Sequence, residues 1–318
     1  MTTPPPLGDR LKGMLEPAQI MKWAMSHYIR VCAEAVFKKG EIFAPILQID
    51  RLRDEAFGRF WVEFSTPAPN ATPAPAEPEP VLETDPETET ETFQPGQNTN
   101  GSSDLIPPLL RTANGIVLDI GPGTGTQMPL LRSPSISTIY GPEPCTGLHE
   151  KLRARAIAEG ISSKYHILAS GAAASQLLPA LRDSGTGVTE AYDSDPRSGI
   201  FDTIICVRVL CSVPEMERTV DELYGLLKPG GKLLVTEHVV NAWRTAKGSF
   251  LARVVQGVYQ VFGWSFFIGD CALDRDTEGV LLRAARSDGG WEVVDLERSF
   301  AWSVMPYLSG TLVKKSSI

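Results

Sequence analysis

From residue 115 onward the chain alternates short, nearly uninterrupted apolar runs with longer stretches whose apolar positions recur every three or four residues. The runs at 116–120, 137–140, 165–169, 201–209 and 232–240 predict strands, and the stretches at 146–159, 172–182, 215–227 and 243–262 predict the helices between them. Strands that are apolar along their whole length are buried on both faces, which implies a parallel sheet with helices on either side. The predicted fold class is α/β, a doubly wound, mostly parallel sheet. Once the alternation ends, a helix at 277–287 and strands at 291–297 and 308–314 predict an antiparallel hairpin on the sheet edge. Residues 183–199, rich in Gly, Ser and Asp, read as a flexible loop between the third and fourth strands.

The front of the chain is different. Residues 14–64 predict two or three helices, with Pro17 near the first start, Gly40 as a stop and Pro45 as a kink or boundary. The apolar run at 20–37 is broken by Lys22, Ser26, His27, Arg30 and Glu34. A membrane span needs about 20 apolar residues with few interruptions, so none is expected here. Trp23, Tyr28 and Phe37 leave seating on a membrane surface as an alternative, with packing on the protein's own domain preferred. Residues 65–104 then shift to Pro, Thr, Glu and Ala, a composition that buries too little apolar area to offset its ordering entropy. The expected organisation is a helical region at 1–64, a disordered acidic linker at 65–104 and the α/β domain at 105–318.

Charge changes the picture once it is located. The 318 residues carry a net charge of −8, but seven acids fall within 66–103, where there is no Lys or Arg, and without them the net charge is −1. A nearly neutral domain gives no electrostatic reason to expect a nucleic-acid partner. Cys32, Cys145, Cys206, Cys211 and Cys271 are too few and too scattered for a disulfide framework, and no Cys-x-x-Cys pair occurs. Reduced thiols and no metal site are therefore expected. Residues 1–11 lack the apolar stretch of a signal peptide, which favours a cytoplasmic over a secreted protein.

The most informative stretch is Val117-Leu118-Asp119-Ile120-Gly121-Pro122-Gly123-Thr124-Gly125. A buried strand ends in an acid and runs into glycines ahead of a helix, which lets the backbone approach a ligand at the carboxyl end of the sheet. The alternative is a tight strand-to-helix turn, but three glycines in five residues carry an entropic cost that a bare turn does not explain. Near the end of the next strand stands Tyr140-Gly141-Pro142-Glu143-Pro144, which places Glu143 where an acid accepts hydrogen bonds from both hydroxyls of a ribose. The glycines are arranged Gly-x-Gly-x-Gly, not the Gly-x-Gly-x-x-Gly that accommodates a pyrophosphate.

On these residues the chain resembles the class I methyltransferases that bind S-adenosyl-L-methionine. Phe201-Asp202-Thr203-Ile204-Ile205-Cys206 looks like their fourth strand, and Leu226-Leu227-Lys228-Pro229-Gly230-Gly231-Lys232-Leu233 like the turn into their fifth, so the resemblance covers about residues 110–315. It implies a seven-stranded Rossmann-like sheet behind an N-terminal helical extension. It also implies cofactor contacts from Asp119, Gly121, Gly123, Thr124, Gly125, Glu143, Gly171, Ala172, Val207 and Arg208. Val209-Leu210-Cys211-Ser212-Val213, Glu237-His238-Val239 and Gly269-Asp270-Cys271-Ala272-Leu273 with Arg275 look most like the alkyl-thiol methyltransferases of the methyltransferase-like family, and are expected to converge on the substrate side of the cofactor. The departure is at the front, where that family carries an apolar membrane anchor and this chain has its charged helical region and acidic linker.

An oxygen or thiol acceptor must lose a proton, and His238 is the best-placed base, with Asp270 as its orienting acid or a rival base. Glu237 is an alternative; Cys206, Cys211 and Cys271 read as small apolar core residues. His27, His149 and His166 have no local partner and no assigned role. The aromatic-rich lengths 243–267 and 291–307 suit the wall of a pocket for a bulky apolar molecule, with the N-terminal helices closing it against water. The expected function is methyl transfer to a thiol, hydroxyl or amine of a hydrophobic small molecule, in keeping with tailoring enzymes of secondary metabolism. Rearrangement without methyl transfer and lipid methylation at a membrane surface are the alternatives. Oligomeric state is left open.

Overall fold

The computed structural model describes residues 6–65, 101–245 and 248–316. Residues 66–100, where most of the acidic linker is expected, lie outside the described residues. On either side of them, Ser65 ends a helix and Ser102–Leu105 forms a 3-10 turn.

Helix α1 spans Leu7–Ala33 and runs on through a π-helical turn, Glu34–Lys38, to Gly40 at φ 71°. Pro17 therefore lies inside the helix instead of near its start. A proline there removes one ladder hydrogen bond. Burial of Ala24, His27 and Val31 on the same helix offsets that loss. Pro45 sits in the first turn of α2, Ala44–Leu47, where its missing N–H is tolerated. Helix α3, Ile49–Ser65, packs back along α1, with Leu52, Ala56 and Phe60 buried between them.

The sheet has seven strands: β1 Gly115–Ile120, β2 Ile136–Pro142, β3 Tyr165–Leu168, β4 Phe201–Val207, β5 Leu227–His238, β6 Val293–Ser299 and β7 Tyr307–Val313. Their order is β3-β2-β1-β4-β5-β7-β6. The first five are parallel, and β7 runs antiparallel to both β5 and β6, so the terminal hairpin joins the edge with its second strand inward. Val117, Leu118, Ile204, Ile205, Leu234 and Val235 are fully buried, as strands covered on both faces must be.

Connecting helices are α4 Ile106–Leu110, α5 His149–Ala158, α6 Ala174–Asp183, α7 Glu190–Ser194, α8 Met216–Leu226, α9 Phe250–Val261, α10 Trp264–Phe267 and α11 Thr277–Ala284. The 183–199 segment is built, not loose. It contains α7 and a 3-10 turn, Arg182 pairs with Asp193, and the Asp195 carboxylate caps the N–H of Arg197 at 3.1 Å. These pairings of small polar residues leave no apolar period to read. Helix α9 begins at Phe250, seven residues later than the pattern predicts. The chain before it instead turns around Asn241, whose amide donates to the carbonyls of Ala301 and Ser303.

Candidate active site

The carboxyl ends of β1, β2, β4 and β5 open on one edge of the sheet, and the site is assembled from the turns and loops that leave them. After Asp119 the chain turns through Gly121, Gly123 and Gly125 at φ 58°, 60° and 78°. Side chains resist that region, and at two positions space is closed as well. A Cβ on Gly121 would lie 2.7 Å from Val209 Cγ2, and one on Gly123 2.6 Å from Trp61 Nε1. Thr124 Oγ1 and Ser65 Oγ, 2.8 Å apart, tie the turn to the end of α3.

Asp119 is buried and accepts the Tyr165 hydroxyl at 2.8 Å. Burial pushes its carboxyl up to about 6, against the pull of that hydrogen bond, and the nearby charge of Glu143 adds to the rise. Glu143 accepts the N–H groups of Gly123 and Cys145, one on each oxygen, both at 2.9 Å. Burial raises its carboxyl, and these two donors oppose the rise. Each oxygen keeps a second lone pair for the hydroxyls of a ligand.

Gly171 and Ala172 come after β3 on the same wall, where the Gly171 N–H donates to Gln176 Oε1 at 3.0 Å. Arg208 comes after β4 with φ 56°, and its guanidinium donates to the hydroxyls of Ser102 and Ser103 at 2.7 and 3.1 Å. Its Nε is buried without a partner. Val207 packs against the core beneath the wall.

At the other end His238 closes β5. Its Nε2 stands 3.0 Å from Cys271 Sγ, and its Nδ1 has no partner. Cys211 completes a buried group whose donor atoms all lie within 4.8 Å of one another. Cys211 is held there because the loop carrying it is anchored three ways. Glu237 Oε1 accepts the N–H groups of Val209 and Leu210 at 2.8 and 3.0 Å. Arg275 donates to the carbonyls of Leu210 and Val213 at 2.6 and 2.7 Å, and the Ala272 N–H donates to the Cys211 carbonyl at 2.9 Å. The Cys271 hydrogen bond and burial push the Cys211 thiol well up. Burial also raises the Glu237 carboxyl.

Asp270 does not meet His238. Its carboxylate takes Arg53 of α3 at 3.0 and 3.2 Å, with the backbone at φ 60°, so the orienting acid expected for His238 is instead a docking point for α3. The pairing leaves no mark in the sequence because Arg53 is 217 residues away. Trp61 and Phe57 leave none either, since nothing in the period of α3 says which of its aromatic residues covers the glycine turn.

A single cleft of about 1620 Å³ joins the two ends, touching Gly121, Gly123 and Glu143 on one side and His238, Trp264 and Cys271 on the other. A small-molecule pocket holds about 300–1,000 Å³, so there is room for two reactants. Phe57 and Trp61 of α3 form part of the wall.

The fold and this site define a class I methyltransferase. The methyltransferase domain family matches residues 97–265, just over half of the chain, and the chain belongs to that family. It is 30% identical over 117 residues to the thiol S-methyltransferase TMT1A of Homo sapiens, a match covering 36% of this chain and 45% of that protein. It is 27% identical over 204 residues to the thiol S-methyltransferase TMT1B of Homo sapiens, covering 62% of this chain and 70% of that one. Among solved structures, that of the cyclase SpnF matches at 20% identity and TM-score 0.45, over 68% of this chain and 82% of that chain. The cofactor is S-adenosyl-L-methionine, and the residues present fit it. Gly121, Gly123 and Glu143 line the cleft, and each Glu143 oxygen, with one backbone donor, keeps a lone pair for a hydroxyl-bearing ligand.

Proposed function

We propose that this methyltransferase methylates the thiol of a hydrophobic small molecule. The observation that carries the reading is the shared cleft. Its end away from the glycine turn is walled by Phe57, Trp264, Ile268 and Met305, and among the polar side chains there, beside Arg208, Ser212 and Asp270, is a buried soft group, His238 with Cys211 and Cys271. The relatives named as thiol S-methyltransferases support the same acceptor.

The cofactor supplies an electrophilic methyl on a sulfonium. Held by the glycine turn and Glu143, it would offer that methyl to an acceptor sulfur seated at the other end of the cleft. The protein's part is to hold both reactants in line and keep water out. Glu143 and the glycine turn hold one reactant, with Asp119 buried behind them, the apolar end of the cleft holds the other, and Trp61 lies over the turn. At pH 7 only about 3% of a thiol with pKa near 8.5 is ionised, so the acceptor has a proton to lose before transfer.

The test is a competition. Purified protein with methyl-labelled cofactor is offered alkyl and aryl thiols beside their alcohol and amine counterparts. Label should enter the thioethers; label entering only ethers or methylamines, or none leaving the cofactor, rejects the reading.

A second reading, action at a lipid surface, is favoured by exposed apolar side chains. Phe37, Ile42, Phe43, Ile46 and Leu47 beyond α1, and Phe250, Val261 and Phe262 on and after α9, are all more than 60% exposed.

A further inference from the structure

We propose that Cys211, His238 and Cys271 form a zinc site whose fourth position, open to the cleft, takes the sulfur of the thiol substrate. The proposal rests on the thiol-acceptor reading above and gives that reading its means of holding the nucleophile. The sequence predicts no metal site because the three donors are dispersed, His238 and Cys271 alone being 33 residues apart. Strand β5 and the loops after β4 and α10 bring them to one point.

The geometry is that of a tetrahedral face. With Zn–S about 2.3 Å and Zn–N about 2.0–2.1 Å, the edges of such a face are about 3.5–3.8 Å. The three donor atoms lie within 4.8 Å of one another, and the His238 Nε2 to Cys271 Sγ edge is 3.0 Å, so shifts of under about 1 Å would seat the ion. Two thiolates and an imidazole are a soft set that suits zinc. Three protein ligands with one open position is the arrangement of catalytic zinc, in contrast to the closed four-ligand structural sites. All three residues line the cleft, so the open direction faces the space where the acceptor sits.

The surroundings agree. Trp264 Nε1–H donates to Cys271 Sγ at 3.2 Å, a bond that a thiolate accepts better than a thiol. The ligand loop is fixed by Glu237 and Arg275, the outer-shell rigidity that metal sites use to orient their ligands. Loading the site displaces the thiol protons of Cys211 and Cys271 to solvent. Binding of substrate R–SH then forms a zinc–sulfur bond and releases the thiol proton to cleft water, so that a thiolate sulfur faces the methyl donor without a general base.

The experiment uses the reduced full-length protein with any tag removed. Zinc is measured by plasma mass spectrometry after dialysis, and the emptied protein is titrated with Co²⁺. About one zinc per chain is expected, and Co²⁺ should give a thiolate charge-transfer band with the intense visible bands of a tetrahedral site. Benzyl mercaptan should raise the charge-transfer band about 1.5-fold, three thiolates replacing two. Cys271→Ser should weaken Co²⁺ binding at least tenfold; if that variant does not fold, the wild-type stoichiometry and spectrum decide. Less than about a tenth of an equivalent of metal after zinc add-back, with label still reaching thiols, overturns the site and leaves the function standing. Metal bound with no spectral response to the mercaptan overturns the substrate role. Metal and response without any methylated thiol supports the site and rejects the function.

Discussion

Asp119 is the residue whose chemistry is easiest to read from its surroundings. Its carboxyl titrates near 6 because burial disfavours the charge more than the Tyr165 hydroxyl favours it. If the cationic cofactor needs the carboxylate, its affinity falls about tenfold per pH unit below 6, and Asp119→Asn flattens that profile; calorimetry across pH 5–8 checks both. The sign for stability is opposite. The folded value lies above the ordinary 3.8, so the charge is a burden on the fold that is absent below about 4, grows through 6 and is complete above it. The ceiling is about 3 kcal/mol, the rise from 3.8 to about 6 taken at about 1.4 kcal/mol per pH unit. Ligand-free Asp119→Asn should therefore melt above the wild type at pH 8, with the gap closing as pH falls toward 4. Equal melting temperatures at pH 8 would show that the carboxylate is better solvated than its burial implies.

Among the elements, the loop after β4 and helix α3 do the positioning. Glu237 holds two backbone N–H groups of that loop, so Glu237→Ala strands both and should cost about 2–4 kcal/mol, read as a shift in urea midpoint. Glu237→Gln keeps an acceptor oxygen and should recover most of the loss. Trp61→Ala removes the ring beside Gly123, and should raise the KM for cofactor several-fold while moving stability less, because Trp61 lies on a cleft wall. The same elements show what could be read in advance. The glycine turn and its two acids were legible because strand, acid and glycines are contiguous, and a positive φ leaves its mark on composition. Helix α1 crossing Pro17 was not, since the packing that offsets the proline is tertiary. The Cys211, His238 and Cys271 cluster was half legible: its three segments were expected to converge, but cysteines read singly as apolar filler hide a set that exists only once the loops meet.

For the whole molecule, the parallel core and the antiparallel edge were readable from apolar runs covered on both faces, and the outer surface was not. Among the described residues no helix is long and apolar enough to cross a membrane. The exposed apolar side chains beyond α1 and along α9 nonetheless predict weak, reversible association with lipid. The protein should co-float with anionic liposomes, and Phe43→Asp with Val261→Asp should abolish flotation without changing the melting temperature; a wild type that stays at the bottom of the gradient removes the lipid-surface reading.

Helix α3 makes two attachments to the sheet domain, Ser65 to Thr124 and, on the cleft wall, Arg53 to Asp270, and sets an indole against the glycine turn. A nucleoside seated against that turn would leave past this barrier after every cycle. Exit of the demethylated nucleoside should then pace steady-state catalysis, so that rapid-quench traces begin with a stoichiometric burst of thioether and continue in a slower linear phase.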